Sequence, residues 1–377
     1  MHSNTSQKII GLDHLRALAI VMVLVYHYRM FPHPEWIDTY GRFGWMGVDL
    51  FFVLSGFLIS KQLFEQIKIS NEIRFKEFYV KRFFRIIPPY AAVLILYFSF
   101  PLFREREALP PLWKFITFTQ NIELDIKNFG TFSHAWSLCI EEQFYLLFPL
   151  FLFIFFKFKK LNYIPFLLLF LLFLTIISRI ISWQVFIIPN LNSTDFWKIW
   201  YMKIYYPTYT RLDGFVVGIL IAYFFKYSGQ FRNFIHSNGN LLLILGLTIV
   251  FFSFWICLDQ MSKPASIIGF TIVASGFGLI VMSAISKSSI LNKKQSLFSE
   301  RLAALSYSIY LSHKGIIHLT HFFIANQNID SESSFVLIIS LANCILIGYV
   351  FQYLIEKPSS KIKNYLLKIN SKNHENN

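Results

Sequence analysis

Long apolar runs recur along the whole chain, and they restrict its fold more than any other feature of the sequence. A helix of about 20 apolar residues crosses the hydrocarbon core of a bilayer. Ten segments approach that length, near residues 12–31, 45–62, 88–103, 136–156, 163–183, 209–226, 240–258, 265–285, 303–324 and 334–355. A soluble domain could not bury a chain that is 55% hydrophobic. We therefore predict an all-α, polytopic transmembrane helical bundle with about ten membrane-spanning helices.

Lysine and arginine are concentrated in alternate loops, which predicts how the chain crosses the membrane. The basic segments are 61–85, 157–160, 226–232 and 287–301, together with the residues after the last span. By the positive-inside rule these segments and both termini face the cytoplasm. This orientation accounts for the net charge of +14 without a nucleic acid partner. We expect a multi-pass protein of the inner (plasma) membrane, with an integral-membrane domain at 1–358 and a polar cytoplasmic tail at 359–377.

The N-terminus and the cysteines indicate neither processing nor metal binding. No small-residue cleavage pattern follows the first apolar segment, so we expect this segment to be retained. The three cysteines are isolated, and each lies inside an apolar run. We therefore predict no disulfide framework and no metal site.

Several ionisable residues fall inside the predicted spans. A charged group costs several kcal/mol in a bilayer core, so it usually faces the protein interior or a water-filled cavity. Four spans bring such groups to a similar depth near the outer surface, and the residues concerned are His27, Asp49, Glu141, Glu142, Arg211 and Asp213. This clustering predicts a functional site at that level.

Arg16 lies deeper on the first span than His27. Eleven residues separate the two, which is about 16 Å along a helix, and both side chains point to nearly the same face. The pair predicts a polar stripe that links the inner side to the outer site. Alternatively, Arg16 extends to the headgroups and His27 is an ordinary buried histidine. Glu141 and Glu142 are harder to explain this way, because adjacent carboxylates at membrane depth need partners or protons.

The segment 71–90 predicts an amphipathic helix at the cytoplasmic interface, ended by Pro88 and Pro89. Its clustered cations either contact lipid headgroups or hold phosphate oxygens, since guanidinium groups bind phosphate in a bidentate manner. The cations concerned are Lys81, Arg82 and Arg85.

Two further segments have alternative interpretations. The span at 303–324 carries Tyr310 and His313, either as a packed polar stripe between helices or as part of the site. The aromatic segment 196–209 is typical of an interfacial belt, and a platform for sugar rings is the less favoured alternative.

Seven motifs occur in order along the chain. They are Arg16 and His27 with ten residues between them, GVDLFFVLSGFLI from Gly47, RFFRIIPPY from Arg82, HAWSLCIEEQFYLLFP from His134, RLDGFVVGIL from Arg211, YSIYLSH ending at His313, and IEKP at 355–358. Together they resemble the membrane-bound acyltransferase-3 family, which includes O-antigen and peptidoglycan O-acetyltransferases. The resemblance covers about residues 9–358.

The resemblance implies transfer of an acyl group, commonly acetyl, from cytoplasmic acyl-CoA to a hydroxyl of an extracytoplasmic glycan or lipid-linked saccharide. In the family, the histidine that matches His27 is regarded as catalytic and the arginine that matches Arg16 as essential. The pair that matches Arg82 and Arg85 is associated with the donor. One departure is Gly315, where the family often has proline. We expect no permanently bound cofactor, because acyl-CoA is a substrate.

We accordingly expect His27 to act as a general base or as an acyl carrier, with Arg16 beside the donor path. Glu141 or Glu142 would hold the tautomer of His27. Donor binding falls to Lys81, Arg82, Arg85 and Arg16, and acceptor binding to Asp49, Arg211, Asp213, His313, Tyr310 and Trp136. A proton-coupled transporter or an exporter of lipid-linked saccharide is the alternative function. The acceptor, the order of the chemical steps and the oligomeric state are left open.

Overall fold

A computed structural model describes residues 9–325, 327 and 329–375, and its regular elements in those ranges are all helical. Eleven long helices form the bundle: α1 Ile10–Tyr28, α2 Met46–Ser70, α3 Phe75–Ser99, α4 Trp136–Lys157, α5 Ile164–Ser182, α6 Asp213–Tyr227, α7 Gly239–Ile256, α8 Phe270–Ala284, α9 Leu297–Ile324, α10 Ser334–Phe351 and α11 Lys357–Glu375. Short helices at Trp36–Gly41, Leu112–Ile116, Phe196–Trp200, Gly229–Ser237 and Ile290–Lys293 lie between them. The predicted all-α bundle is confirmed.

Eight helical segments in the described residues are long and apolar enough to cross a membrane, and they contain α1 to α5, α7, α8 and α10. A ninth candidate combines α6 with Gly229–Ser237, across a bend of 107°. Helix α9 is more polar than these, because serine, histidine and lysine occupy its middle. Its central residues are buried, and polar groups are tolerated inside a bundle where lipid does not reach them.

Helix α3 runs unbroken through Pro88 and Pro89, so the prediction that these prolines end an interfacial helix is wrong. Each proline removes one backbone hydrogen bond. Inside a bundle, neighbouring helices compensate for such losses. The carbonyls that lose a partner are those of Phe84 and Arg85. In the same turn the hydroxyl of Tyr307 donates to the carbonyl of Ile86 at 3.1 Å, which ties α3 to α9. The basic residues of α3 are therefore carried on the same helix as the apolar segment.

The segment predicted as a polar tail, 359–377, is helical as far as Glu375. Helix α11 packs against α3, near the basic residues of that helix. The N-terminal residues 1–8 and the last two residues lie outside the described residues. That the first apolar segment, here α1, is retained stays a prediction.

Helices α2 and α6 pack with their backbones in close contact through small residues. A Cβ atom at Gly218 would lie 2.3 Å from the carbonyl oxygen of Val53, and one at Gly56 would lie 2.5 Å from that of Phe215. Glycine is therefore required at both positions. This contact brings the N-terminal ends of α2 and α6 together, and with them their acidic residues.

Candidate active site

Two cavities follow one another along α1. The Arg16 cavity, about 240 Å³, is lined by Arg16, Arg82, Arg85, Glu141, Glu142 and Tyr310 among others. The His27 cavity, about 320 Å³, is lined by His27, His134, Arg106, Lys314 and several aromatic rings. Val48 lines both. One helix thus presents Arg16 to the first cavity and His27 to the second, as their spacing predicts.

Hydrogen bonds between α1 and α9 determine which nitrogen of His27 carries the proton. The Nδ1 atom of His313 lies 2.7 Å from the carbonyl oxygen of Tyr310. A carbonyl only accepts, so Nδ1 of His313 is the protonated nitrogen, and in the neutral ring its Nε2 is an acceptor. That Nε2 lies 2.9 Å from Nδ1 of His27, which therefore donates. The Nε2 atom of neutral His27 is left unprotonated and available as a base.

His134 completes a cluster of three histidines. Its ring centroid lies 4.6 Å from that of His313 and 5.8 Å from that of His27. Its Nε2 donates to the carbonyl of Leu311 at 3.2 Å, and its buried Nδ1 has no hydrogen-bond partner among the described residues. Among the described residues, no group of three His, Cys, Asp or Glu side chains is arranged to hold a metal ion. Sequence reasoning did not assign His134 to the site, although it opens the HAWSL motif.

Glu141 and Glu142 line the Arg16 cavity rather than the His27 cavity, so the expectation that one of them holds the tautomer of His27 is wrong. His313 occupies that position instead. A short 3₁₀ turn, Ser133–Ala135, starts α4 at the level of His27. The two glutamates follow five and six residues after Trp136, which places them about 8 Å further along the helix. There Glu141 accepts a hydrogen bond of 2.7 Å from the hydroxyl of Tyr145.

The residues predicted to bind the donor lie together around the Arg16 cavity. Arg82 stacks on the ring of Tyr145 at 5.5 Å and donates to Gln62 at 3.1 Å. Arg85 is exposed at the edge of the cavity. An adjoining cavity of about 320 Å³, named here the basic mouth, is lined by four cations and one acid, namely Lys81, Arg82, Arg85, Lys363 and Glu356, together with Ser360 and others. Cations from α3 and α11 therefore surround the entrance to the Arg16 cavity.

Three residues predicted to bind the acceptor, Asp49, Arg211 and Asp213, line neither the Arg16 cavity nor the His27 cavity in the described structure. They are therefore not placed to contact an acceptor there. Arg211 instead donates to Asp49 at 2.8 Å, and Arg179 donates to both carboxylate oxygens of Asp213 at 3.0 Å. All four side chains are almost fully buried. They are named here the ion-pair network. A buried carboxylate is stable only with such a partner, and this explains their depth.

Aromatic side chains form one wall of the His27 cavity. It consists of Trp136, whose predicted contact with the acceptor stays a prediction, together with Trp197, Tyr201, Tyr205 and Tyr206. The last four of these residues belong to the aromatic segment 196–209. A platform for sugar rings, the less favoured interpretation of this segment, therefore fits the geometry better than a lipid-facing belt. The guanidinium carbon of Arg211 lies 5.1 Å from the ring centroid of Trp136 and 4.5 Å from that of Tyr205. The ion-pair network therefore supports this wall from behind.

Gly315, the one departure from the family motifs, has a packing reason. A Cβ atom at this position would lie 2.5 Å from the ring of Phe103. The ring of Phe103 thus occupies the space beside α9, two residues after His313. Lys314, the residue before Gly315 on α9, has partners outside this helix: it lies 3.7 Å from Glu105 and donates to Ser133 at 3.1 Å.

Comparisons with known proteins agree with the motifs. A family model described as an acyltransferase domain, Acyl_transf_3, matches residues 9–356. O-acetyltransferase OatA of Staphylococcus aureus (strain NCTC 8325 / PS 47) is 28% identical over 368 residues, which cover 93% of this chain and 57% of the relative. Peptidoglycan O-acetyltransferase OatA of Listeria monocytogenes serovar 1/2a is 28% identical over 330 residues, which cover 82% of this chain and 49% of the relative.

A putative O-acetyltransferase of S. aureus (strain COL) is 27% identical over 374 residues, covering 93% of this chain and 57% of the relative. The chain therefore spans about half of the length of these relatives. No solved structure matches it. The family model confirms the family that the seven motifs predict.

Proposed function

We propose that this chain, which belongs to the acyltransferase-3 family, transfers an acyl group from cytoplasmic acyl-CoA to a hydroxyl of an extracytoplasmic glycan or lipid-linked saccharide. The names of its relatives make acetyl the expected group and a cell-wall or surface glycan the expected acceptor. The observation that carries the proposal is the free Nε2 of His27, held in a cavity that adjoins an arginine-lined cavity on the same helix.

The donor enters through the basic mouth. The phosphates of CoA suit Arg85, Lys81 and Lys363, because guanidinium and ammonium groups are the usual protein donors to phosphate oxygens. The pantetheine arm then follows the Arg16 cavity past Arg16 itself. The thioester arrives near Val48, which both cavities share. The positive-inside rule places the basic mouth in the cytoplasm, because it lies among the most basic loops.

The acceptor enters the His27 cavity from the other side, with its hydroxyl at Nε2 of His27. As the hydroxyl oxygen bonds to the thioester carbonyl carbon, Nε2 takes its proton. The carbon–sulfur bond then breaks, and the CoA thiolate receives that proton from the imidazolium. His313 orients the ring throughout, because its own Nδ1–H is fixed on the carbonyl of Tyr310. Acylation of Nε2 before the acceptor binds is the alternative order, and trapping a labelled acyl-enzyme without acceptor distinguishes the two.

The test is acyl transfer by the purified full chain in lipid nanodiscs, with radiolabelled acetyl-CoA and a panel of oligosaccharide acceptors. We expect His27→Ala to reduce transfer by at least about 10²-fold, the usual contribution of a general base. A matched control is His321→Ala, because His321 also bonds α1, through the hydroxyl of Tyr28 at 3.1 Å, but lines neither cavity in the described structure. Full transfer by His27→Ala contradicts the proposal, and saccharide export without any transfer favours the exporter.

A further inference from the structure

The His27 cavity carries positive charge without a carboxylate in its lining, as far as the described residues show. Its basic side chains, apart from the histidines, are those of Arg29, Arg106 and Lys314. The neutral rings of His27 and His134 and the aromatic wall make up much of the remaining surface. A saccharide acceptor that enters this cavity therefore meets aromatic ring faces and basic side chains.

Two of these three cations already have carboxylate partners outside the lining. Nε of Arg29 lies 2.9 Å from Asp38, and Nζ of Lys314 lies 3.7 Å from Glu105. Arg106 forms no ion pair in the described structure. Its Nη1 donates to the carbonyl of Ile126 at 3.0 Å, which leaves other N–H donors of its guanidinium for a ligand.

Arg106 is also held in place, unlike most exposed arginines. A Cβ atom at Gly130 would lie 2.6 Å from Cδ of Arg106, so the absence of a side chain at 130 gives its stem room to lie there. The backbone carbonyl of Arg106 accepts from the hydroxyl of Thr131 at 2.6 Å. Stem, backbone and one guanidinium nitrogen are therefore all fixed, and less side-chain entropy is lost when a ligand binds.

The lysines around this cavity differ from Arg106, because each has an acidic partner. The three pairs are Lys127 with Asp195, Lys198 with Asp125, and Lys203 with Glu123, at 2.7 to 2.8 Å. Among the three cations of the cavity lining, Arg106 is therefore the one without a carboxylate partner in the described structure.

We propose that the acceptor carries an anionic group, a carboxylate or a phosphate. Arg106 binds this group while the reacting hydroxyl of the acceptor lies at His27. The inference rests on the proposed function and adds the chemical class of its acceptor. A planar guanidinium pairs with either anion through two parallel hydrogen bonds. The sugar ring packs against Trp136 and Trp197, and this contact orients the hydroxyl relative to the anion.

The experiment measures equilibrium binding of oligosaccharides to the full chain in nanodiscs of neutral lipid. The probes are a hexuronic acid oligosaccharide and its carboxyl-reduced form, and a phosphorylated oligosaccharide and its dephosphorylated form. We expect at least one anionic probe to bind about tenfold more tightly than its neutral form. The probe pair that shows the preference identifies the anion as carboxylate or phosphate.

Variants test the assignment to Arg106. We expect Arg106→Gln to abolish the preference, Arg106→Lys to retain part of it, and the matched control Lys127→Gln to leave it unchanged. Equal binding of both members of each pair by the wild type overturns the inference, and so does a full preference in a folded Arg106→Gln variant. His27→Ala should keep the preference while losing acyl transfer. The binding measurement therefore tests the chemical class of the acceptor, and the acyl-transfer measurement tests the proposed function.

Discussion

The ion-pair network and the Arg16 cavity both place arginines and carboxylates inside the helical bundle, and they use them differently. In the network each acid has one arginine, with Arg211 on Asp49 and Arg179 on Asp213. Around the Arg16 cavity, three arginines and two glutamates share one space, yet no ion pair within 4 Å joins Glu141 or Glu142 to any of them in the described structure. Arg16 itself pairs with Asp13, at 3.3 Å and outside the cavity lining. Paired charges beside solid packing stabilise a fold, whereas carboxylates without an ion pair beside an open cavity are suited to a ligand. Substitutions in the ion-pair network should therefore reduce stability, and substitutions around the Arg16 cavity should reduce activity.

The largest effect is expected at Asp213. Asp213→Asn removes the charge that faces Arg179 and leaves a fully buried guanidinium without a counter-ion, which costs about 3–5 kcal/mol. Thermal unfolding in detergent, followed by size-exclusion chromatography, should show a strong loss of folded protein. The double variant Asp213→Leu with Arg179→Met removes both charges and should recover much of the loss. Equal stability of the single variant and the wild type would contradict a structural role.

His313→Ala should leave most of the stability and lower the turnover. In the wild type, Nε2 of His313 accepts the hydrogen bond from Nδ1 of His27. Without it, the His27 tautomer whose Nε2 is unprotonated is present in only part of the molecules. We expect kcat to fall about 10²-fold with little change in the KM for acyl-CoA, since the ring lies outside the donor path. His313→Gln offers an amide oxygen to the same proton and should recover part of kcat. A rise in donor KM with an unchanged kcat would place His313 in donor binding instead.

The sequence predicts most of the helices, because apolar runs mark where a chain is able to cross lipid. The depth of an individual side chain is harder to predict from the sequence than the helix that carries it. Each residue changes depth by about 1.5 Å, so the seven or eight steps from His134 to Glu141 and Glu142 are enough to place them in different cavities. The bond from His27 to His313 joins residues 286 positions apart, and no spacing predicts which helices are neighbours. The prolines of α3 misled for a similar reason, since packing against other helices, α9 among them, holds α3 together around them.

A smaller effect is expected at the entrance to the Arg16 cavity. Arg85→Gln removes an exposed cation that has no ion pair in the described residues, so stability should change by no more than about 0.5 kcal/mol. The KM for acyl-CoA should rise about tenfold, because one charge-assisted contact to phosphate contributes roughly 1.4 kcal/mol. Steady-state kinetics with acetyl-CoA and with acetyl-pantetheine, which lacks the nucleotide, tests this directly. The variant should affect only the full donor, and an equal effect on both donors would exclude phosphate binding.

Glu142→Gln should show the smallest effect and sharpens the comparison most. Glu142 forms no ion pair in the described structure, and it lies next to a second carboxylate in sequence and in the cavity lining. Replacing it with a neutral amide of the same shape removes repulsion between the two acids and costs no partner, so we expect a stability equal to or slightly above that of the wild type. The same change in the network, Asp213→Asn, should instead unfold the protein. If both amides destabilise alike, then Glu142 has a structural role as well, and the division of these buried charges into supporting pairs and ligand-facing groups fails at this residue.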